Sequence, residues 1–514
     1  MKLSILSNIN IEPLKNQLQK IGLLDVYVGE YNQWQSELLN PDSGLYAFSP
    51  DFVFVYLNLE ELQSEISDLF DCINIFSEKN KKTSFIISNV AGPPYSVLTY
   101  AEDSSSRERE LNDALSVFAS ENVSVFILDF NRLIRFYGYK NLFDDKFWYL
   151  GRIKLSNQGF IVLAQELKNA ISCLQGKSKK MLVVDLDNTL WGGILGEEGW
   201  QNIRLSQEGE ERIFVDFQRK LKELRQTGVL LAICSKNNES DVREVFEKNK
   251  QMKLSWDDFI LHRVNWETKP DNIIQIAGAL NLGLDSIVFL DDNPVEREFV
   301  KQSLPDVIVP DFPEDISILN RWFVSDVVYP FFGKSRLTEE DREKTEQYKR
   351  NIDREKIKQL ISYDEFIEQL DIRLTVFSPS TEQAFRIAQL TQKTNRFNLS
   401  GKRFDEAEIN AMLENSDYKI FACEYEDKFG NEGIIGCAVI QIKKEKALID
   451  SFYLSCRVLG RKVEFSFLNH ILYELKKSGI ESVDAEYIET GRNVSAKDFY
   501  EKGGFSSGKI LLWN

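Results

Sequence analysis

Residues 181–191 read MLVVDLDNTLW, in which four apolar residues lead directly into Asp185 and Asp187. A short apolar run of this kind is typical of a strand that is buried on both faces of a parallel sheet. We therefore predict a strand over Met181–Asp185. In an open parallel sheet the functional side chains gather where the strands end. The two aspartates are thus expected at a functional edge of the sheet.

Polar residues also follow the other predicted strands of this segment, Val229–Cys234 and Ser286–Leu290. They are Ser235 after the first strand, Lys269 in the loop between the strands, and Asp291 and Asp292 after the second strand. Taken alone, Asp187-Asn188 is explained by a capped turn after a strand, and Asp291–Pro294 by an ordinary polar turn. Four such groups in order, each at a strand end or in a loop, predict one functional site.

These residue types suit phosphoryl chemistry. Of two carboxylates at i and i+2, such as Asp185 and Asp187, one can attack phosphorus while the other protonates the leaving group. A further aspartate can supply oxygen to a hard cation such as Mg²⁺. Ser235 and Lys269 can hold phosphoryl oxygens. The chain has only two histidines, which disfavours a Ser-His-Asp hydrolase or a His-ligated metal centre.

Length and composition predict a chain of several globular domains. It has 514 residues, 43% of them hydrophobic and 28% charged, so three domains are expected. A formal charge of −17 argues against nucleic acid and anionic membranes as partners. No apolar run approaches the length of about 20 residues that crosses a bilayer, and no signal peptide is evident, which predicts a cytoplasmic protein. The six cysteines form no CxxC pair, so neither disulfides nor a zinc site are indicated.

The predicted fold class is α/β, in three domains. Strands alternate with helices over 1–176 and again over 177–335, which is a parallel α/β pattern. Over 363–514, several β-type runs precede a long helix at Lys462–Ser478, which is an α+β pattern. The stretch 336–362 is dense in charge with helical spacing, and we predict a connecting helix that is exposed to solvent.

The four groups resemble the motifs of the haloacid dehalogenase (HAD) superfamily of Rossmann-like phosphatases. The resemblance implies that Asp185 is the nucleophile that forms an aspartyl-phosphate and that Asp187 is the general acid and base. It places Mg²⁺ on Asp185, on the backbone carbonyl of Asp187 and on one of Asp291 and Asp292, with Asp292 preferred. It assigns phosphate binding to Asn188, Thr189, Ser235 and Lys269. Ser235 follows Asp185 by only 50 residues, and Lys269 follows Ser235 by 34, which leaves little room for a cap domain.

Longer runs narrow the resemblance to FkbH-like proteins of HAD subfamily IIIC. These runs are VDLDNTLWGG at 184–193, LTQKTNRFNL at 390–399 and LSCRVLGR at 454–461. Characterised FkbH-like proteins load a D-glyceryl unit from 1,3-bisphosphoglycerate onto an acyl carrier protein and remove phosphate. The resemblance implies the same activity here, with a small phosphorylated substrate and an acyl carrier protein as partners.

The third segment resembles GNAT acyltransferases. The loop that precedes its long helix matches their RxxGxG/A pattern except at its last residue, and it consists of Arg457, Val458, Leu459, Gly460, Arg461 and Lys462. The resemblance implies a site for phosphopantetheine or coenzyme A at a helix N-terminus, and Asn493 resembles a residue near the thioester. A basic helix cap is the simpler alternative. Acyl transfer to a thiol also suggests a cysteine relay, with Cys456 preferred over Cys234.

The first segment resembles an SGNH hydrolase with a degenerate site. Ser7 follows the first predicted strand, but Lys154 occupies the histidine position and Gly151 the aspartate position of that family. We therefore expect this domain to be catalytically silent.

Two other functions remain open from the sequence. One is a plain HAD phosphatase that acts on a small phosphometabolite. The other is a CoA-dependent acyltransferase of glycan or natural-product biosynthesis.

Overall fold

The computed structural model describes residues 1–62, 64–94, 106–336, 339–358, 362–506 and 509–511. The chain divides into two units. The first contains Met1–Ser172, Thr381–Ala388 and Phe404–Ser416, and the second contains Cys173–Ser380, Gln389–Arg403 and Asp417–Asn514. Within the described ranges, no helix combines the length and the apolar character that crossing a membrane requires.

The first unit is built on a parallel five-stranded sheet. Its strands are β1 (Lys2–Ser7), β2 (Asp25–Val28), β3 (Phe52–Tyr56), β4 (Ser84–Ser88) and β5 (Val125–Leu128). Its helices include Glu12–Lys20, Trp34–Leu39, Gly44–Phe48, Ile66–Lys79, Ser106–Glu121, Phe130–Tyr137, Tyr139–Leu142, Asp145–Gly151, Asn157–Leu174 and Glu406–Glu414. The strand order β2-β1-β3-β4-β5 is the flavodoxin-like doubly wound order, which confirms the predicted class.

The second unit begins with a parallel four-stranded sheet. Its strands are β6 (Met181–Val184), β7 (Leu230–Ser235), β8 (Leu261–Val264) and β9 (Ile287–Leu290). Its helices include Leu195–Glu198, Arg212–Gln226, Glu239–Lys248, Lys269–Ala279, Pro294–Ser303, Leu319–Trp322 and Tyr329–Phe332, with a π-helical segment at Phe323–Val328. The order is β8-β7-β6-β9, so β6 lies between β7 and β9. The edge strand β8 (sequence LHRV) was not predicted, because a single buried residue gives no apolar run.

A second sheet of this unit is six-stranded and mostly antiparallel. Its strands are β10 (Arg373–Phe377), β11 (Tyr418–Asp427), β12 (Gly430–Lys443), β13 (Lys446–Leu454), β14 (Ser482–Ala485) and β15 (Lys509–Leu511). Its helices include Tyr363–Leu370, Val463–Lys477 and Phe499–Lys502, together with the part of the helix Ala384–Lys393 that begins at Gln389. The strands pair in sequence order, and only β13 and β14 pair in parallel, because Val463–Lys477 crosses between them. This is the GNAT-like α+β region that was predicted.

The predicted connecting helix runs over Glu339–Lys358, which we call the charged helix. The prediction of a helix is confirmed for these residues, whereas residues 337–338 and 359–361 of the predicted stretch lie outside the described part. The prediction that it is exposed to solvent is wrong, because one side is buried. Arg354 is 0% exposed and donates to both oxygens of Asp427 at 2.7 and 2.8 Å and to Glu432 at 2.7 Å. Burial of this polar face depends on partners that are distant in sequence, and helical periodicity does not reveal them.

Candidate active site

The carboxyl ends of β6 and β9 bring three aspartates together. Asp185 follows β6, and its backbone N–H donates to the carbonyl of Leu290, the last residue of β9, at 2.9 Å. Asp291 and Asp292 follow Leu290 directly. One carboxylate oxygen of each aspartate lies within 4.8 Å of those of the other two. The strand ends thus place the predicted acidic residues in one cluster.

Lys269 supplies the positive charge of this cluster. It begins the helix Lys269–Ala279, and its buried Nζ lies 2.9 Å from Oδ2 of Asp185 and also contacts Oδ2 of Asp291. Burial alone lowers the pKa of a lysine, but the charges of Asp185 and Asp291 outweigh it and raise the pKa of Lys269. The ammonium is therefore firmly charged, as a group that holds phosphoryl oxygens should be.

The two carboxylates after β9 hold their protons more tightly than ordinary aspartates. Burial and then the charge of Asp185 raise the pKa of Asp291 to about 7, although Lys269 opposes the shift. The same two causes raise the pKa of Asp292 to about 6. Three acids around one lysine leave excess negative charge in a buried place, which is the setting in which a bound cation is stabilising.

One oxygen of Asp185 has no hydrogen-bond donor. Its Oδ1 is buried, and among the described residues nothing donates to it, whereas Oδ2 is paired with Lys269. Asp291 differs, since Oδ2 contacts Lys269 and Oδ1 accepts from the backbone N–H of Asn293 at 2.9 Å. Buried carboxylate oxygens are rarely left without a partner. The free oxygen of Asp185 and the all-oxygen donor set fit a hard cation and an incoming phosphorus atom.

Asp187 is held by three donors. These are Nε1 of Trp191 at 3.0 Å, the backbone N–H of Leu195 at 3.2 Å and Nδ2 of Asn237 at 3.0 Å. Burial raises the pKa of Asp187 despite these bonds, which suits its predicted role as a general acid. Asn237 also donates to the hydroxyl of Ser235 at 3.2 Å, so it links two predicted site residues.

Asn237 is a site residue that the sequence reasoning did not identify. The available signal was its position two residues after Ser235, at the same strand end. Asparagine there reads as an ordinary turn residue, and only its contacts show that it orients Asp187.

Asn188 and Thr189, which follow Asp187, each form hydrogen bonds within the protein. Asn188 has φ +51°, and its side-chain oxygen accepts from the backbone N–H of Gly193 at 2.9 Å. The hydroxyl of buried Thr189 accepts from the backbone N–H of Asp292 at 3.1 Å. Thr189 was predicted to bind phosphate, but its contacts position Asp292 instead.

A cleft of about 440 Å³ opens beside Asn188 and Asp292. Its walls also include Arg204, Phe214, Arg297 and Phe312.

The predicted pantetheine loop differs from expectation at both arginines. Arg457 and Arg461 are only 8% and 4% exposed. Arg457 contacts Gln347 and lies 3.2 Å from Glu432, and Arg461 contacts Asn351. The guanidinium groups of Arg457 and Arg461 are therefore occupied by contacts with the charged helix and its neighbours. They do not face an open phosphate site. This corrects the prediction, because a polar helix covers what the sequence suggested was a free basic loop.

Other residues of that loop are also engaged. Val458 is fully buried in the core, and the carbonyl of Gly460 accepts from the hydroxyl of Tyr363 at 3.1 Å. Leu459 is half-buried and packs against the same core, and Lys462 is the exposed residue that precedes the helix Val463–Lys477.

Residues 397–399 occupy the space where β13 and β14 separate. The two strands pair only through Lys446–Ile449 and Ser482–Ala485. Beyond that, the N–H of Leu399 donates to Phe452 at 3.2 Å, and its carbonyl accepts from Ile488 at 2.8 Å. The buried side chain of Asn493 donates to the carbonyl of Asn398 at 2.7 Å. Asn493, which was expected near a thioester, thus holds the chain's own segment in place.

The two candidate relay cysteines differ in access. Cys234 is 0% exposed, and burial raises the pKa of its thiol to about 12. A thiol that stays protonated and buried cannot serve as a relay, so this prediction is wrong. Cys456 is half-buried, and its carbonyl accepts from Nδ2 of Asn281 at 3.0 Å. Its proposed role remains a prediction.

The three residues assigned to the degenerate site of the first unit each have a contact within that unit. Ser7 is 4% exposed, and its hydroxyl accepts from the backbone N–H of Ile9 at 3.2 Å. Lys154, at the histidine position, is buried and forms an ion pair with Glu60 at 2.5 Å. The carbonyl of Gly151 accepts from Asn10 at 3.3 Å. An ion-paired lysine is a poor base for Ser7, which supports the prediction of a silent domain.

Comparison with solved structures identifies a relative of this chain. The N-terminal part of the protein BF1531 from Bacteroides fragilis, which contains a phosphatase domain and was solved with Mg, is 30% identical to this chain. The match covers 66% of this chain and 95% of that one, with a TM-score of 0.60. The chain belongs to the family of this phosphatase-domain protein. No protein-family model and no curated protein matched.

Shorter matches are to N-acetyltransferases. The ribosomal-protein-S18-alanine N-acetyltransferase of Escherichia coli is 19% identical, over 26% of this chain and 78% of that one, with a TM-score of 0.22. The PaiA N-acetyltransferase of Thermoplasma acidophilum, solved with coenzyme A, is 14% identical, over 27% and 96% of the two chains, with a TM-score of 0.21.

Proposed function

We propose that this protein is a Mg²⁺-dependent phosphatase of the HAD superfamily and of the FkbH-like type. In this proposal it processes an acyl phosphate such as 1,3-bisphosphoglycerate and transfers a glyceryl-type group to the thiol of an acyl carrier protein, in the cytoplasm. The observation that carries the proposal is the unpartnered oxygen of Asp185, buried beside Lys269 within the cluster of three aspartates. The family relationship to a phosphatase-domain protein supports it.

The proposed role of Asp185 is to remove a phosphate ester. Its free Oδ1 attacks phosphorus, and the bond from phosphorus to the organic oxygen breaks. Asp187, whose pKa burial raises, gives its proton to that oxygen as it leaves. Asp187 then takes a proton from the water that attacks the aspartyl-phosphate, which releases inorganic phosphate and restores Asp185. Lys269 neutralises the phosphoryl oxygens throughout.

The donor set identifies the residues that would hold the metal. Asp185, the backbone carbonyl of Asp187 and Asp292 are the proposed ligands, because both oxygens of Asp291 are already engaged. Mg²⁺ bound there would neutralise negative charge on the phosphoryl group. The side chain of Asp187 stays outside this set, since its two oxygens accept from Trp191, Leu195 and Asn237.

Acyl transfer is proposed to occur directly to the carrier thiol. The thiolate attacks the carbonyl carbon of the acyl phosphate, a carbon–sulfur bond forms, and the carbon–oxygen bond to phosphate breaks. No relay through Cys234 is needed, and its burial excludes one. The short connections around the site leave little room for a cap domain, which suits a bulky partner.

An intact-mass experiment tests this function. The protein is incubated with Mg²⁺, a phosphopantetheinylated carrier protein and a mixture that generates 1,3-bisphosphoglycerate. We expect a glyceryl-sized adduct on the carrier, and we expect it to be absent with Asp185→Asn. If Asp185→Asn retained both the adduct and phosphate release, the proposed mechanism would be ruled out.

A plain phosphatase is the second candidate. The burial of Arg457 and Arg461 and the filling of the space beside β13 by residues 397–399 favour it, because the described residues leave no open pantetheine site there. The same contacts count against a CoA-dependent acyltransferase. Phosphate release from simple esters with no acyl adduct on any protein would support the plain phosphatase.

The affinity for Mg²⁺ is expected to fall as the pH is lowered. The pKa of Asp292, the proposed ligand, is raised to about 6. The metal requires an ionised carboxylate there, so protons compete with it below this value. Between pH 8 and pH 5.5 we expect a loss of about fourfold, measured by calorimetry. Asp292→Asn should flatten this dependence, and an affinity that does not change with pH would contradict the assignment.

A further inference from the structure

Lys236 and Glu296 form an ion pair between two loops of the phosphatase sheet. Lys236 follows β7 directly, and Glu296 lies in the first turn of Pro294–Ser303, which follows β9. Nζ of Lys236 lies 2.5 Å from Oε1 of Glu296. Because β7 and β9 flank β6, an ion pair between their loops crosses the carboxyl end of β6. Asp185 lies at that end.

Electrostatics at a nearby thiol support the same placement. The pKa of buried Cys234 is raised chiefly by desolvation, with contributions from the charges of Asp185, Asp291 and Glu296, while Lys269 opposes them. Lys236 directly follows Ser235, so its ion pair also places Glu296 beside that predicted site residue. Glu296 lies in the immediate surroundings of that site.

The second oxygen of Glu296 is an unused acceptor. Oε1 is paired with Lys236, but Oε2 is buried, and no described residue donates to it. A pair that served only to join two loops would be expected to satisfy both oxygens or to leave the second one in water. Lys236 itself is 38% exposed along its side chain, so it remains within reach of a ligand.

We propose that the Lys236–Glu296 pair is a substrate-binding bridge across the phosphatase site. Oε2 of Glu296 accepts a hydrogen bond from a hydroxyl group on the organic part of the substrate, and Lys236 holds Glu296 in place and binds a substrate oxygen. The substrate class is thus a phosphate whose organic part carries a free hydroxyl. This inference rests on the proposed phosphatase function and adds the recognition of the leaving group.

Non-hydrolysable phosphonates test the bridge without turnover. The probes are 2-hydroxyethylphosphonate against ethylphosphonate, and 3-hydroxypropylphosphonate against propylphosphonate, titrated calorimetrically into the full chain with Mg²⁺. The two chain lengths sample two distances between phosphorus and the hydroxyl. We expect the hydroxylated member of at least one pair to bind about tenfold more tightly, as a hydrogen bond to a carboxylate allows.

Variants at two positions of the helix Pro294–Ser303 test the role of Glu296. Glu296→Leu should abolish the preference for the hydroxylated probe, and Glu296→Gln, which keeps an acceptor oxygen of the same shape, should retain part of it. Lys301→Met is the matched control, because Lys301 forms an exposed ion pair with Asp311 from the same helix. It should keep the full preference.

Three results would overturn the inference. They are equal binding of both members of each pair by the unmodified protein, an unchanged preference in Glu296→Leu, and a loss of Mg²⁺ affinity in Glu296→Leu measured without phosphonate. The last would assign Glu296 to the metal. Failure of the proposed function is a separate result, because phosphonate binding requires no turnover. A protein that prefers the hydroxylated probe but releases no phosphate from esters would retain the bridge and lose the phosphatase.

Discussion

Replacing Asp185 by asparagine is expected to lower phosphate release by about 10⁴-fold or more. The amide has nearly the shape of the carboxylate, but it is not a nucleophile toward phosphorus, and it removes one partner of Lys269. Initial rates of phosphate release with Mg²⁺ and a phosphorylated three-carbon acid measure the effect. The fold should be preserved, and the melting temperature checks it.

The matched control for this variant is Asp216→Asn. Asp216 is a surface carboxylate on Arg212–Gln226, where it pairs with Arg212 and Arg219. It belongs to the same unit but lies outside the acidic cluster, so its loss should leave the rate within about twofold, because exposed pairs contribute little. Retention of a tenth or more of the rate in Asp185→Asn would remove Asp185 from the role of nucleophile.

Replacing Arg354 by methionine is expected to lower the free energy of unfolding by about 3 kcal/mol or more. The change leaves Asp427 and Glu432, which are 6% and 1% exposed, without their main cation. Despite its burial, Asp427 keeps a pKa below the ordinary value because Arg354 and Tyr425 donate to it. Urea unfolding followed by hydrogen exchange in peptides of β11 and β12 measures the loss where it occurs.

Two further variants test whether the buried charges cause the loss of stability. Lys349→Met removes a half-exposed charge from the same helix, where Lys349 lies 3.2 Å from Glu346, and should cost less than about 0.5 kcal/mol. Adding Asp427→Asn and Glu432→Gln to Arg354→Met should restore part of the stability, because no buried anion is then left unpaired. Equal effects of Arg354→Met and Lys349→Met would show that the buried charges are not the cause.

The acidic cluster could be predicted because its signal is local. Each of Asp185, Ser235 and Asp291 directly ends a strand or follows one, and the strands are short apolar runs that a parallel sheet requires. Once such strands are recognised, parallel pairing brings their ends together without any further information. Most strands of the other two sheets were also predicted from local runs, whereas β2, β8, β14 and β15 were not.

The features that could not be predicted depend on contacts between distant parts of the chain. Arg457 was predicted to bind a phosphate because a basic loop before a helix is typical of such sites, yet Gln347, 110 residues away, occupies it. Apart from Tyr348, the described buried residues of Glu339–Lys358 are polar, so no apolar stripe marks them. Thr189 and Asn237 have ordinary turn chemistry, and only the folded structure shows which carboxylate each one supports.

The charged helix also bears on how this protein could be recombined with others. Arg354 neutralises acids of the six-stranded sheet, while Asp341 at the other end of the helix lies 2.7 Å from Lys334 of the phosphatase region. A chimera joined at residue 336 or 363 would separate one of these groups from its counter-charge. We therefore expect that the phosphatase region and the sheet that follows it must be exchanged together, and that crossovers giving folded chimeras fall outside 334–432.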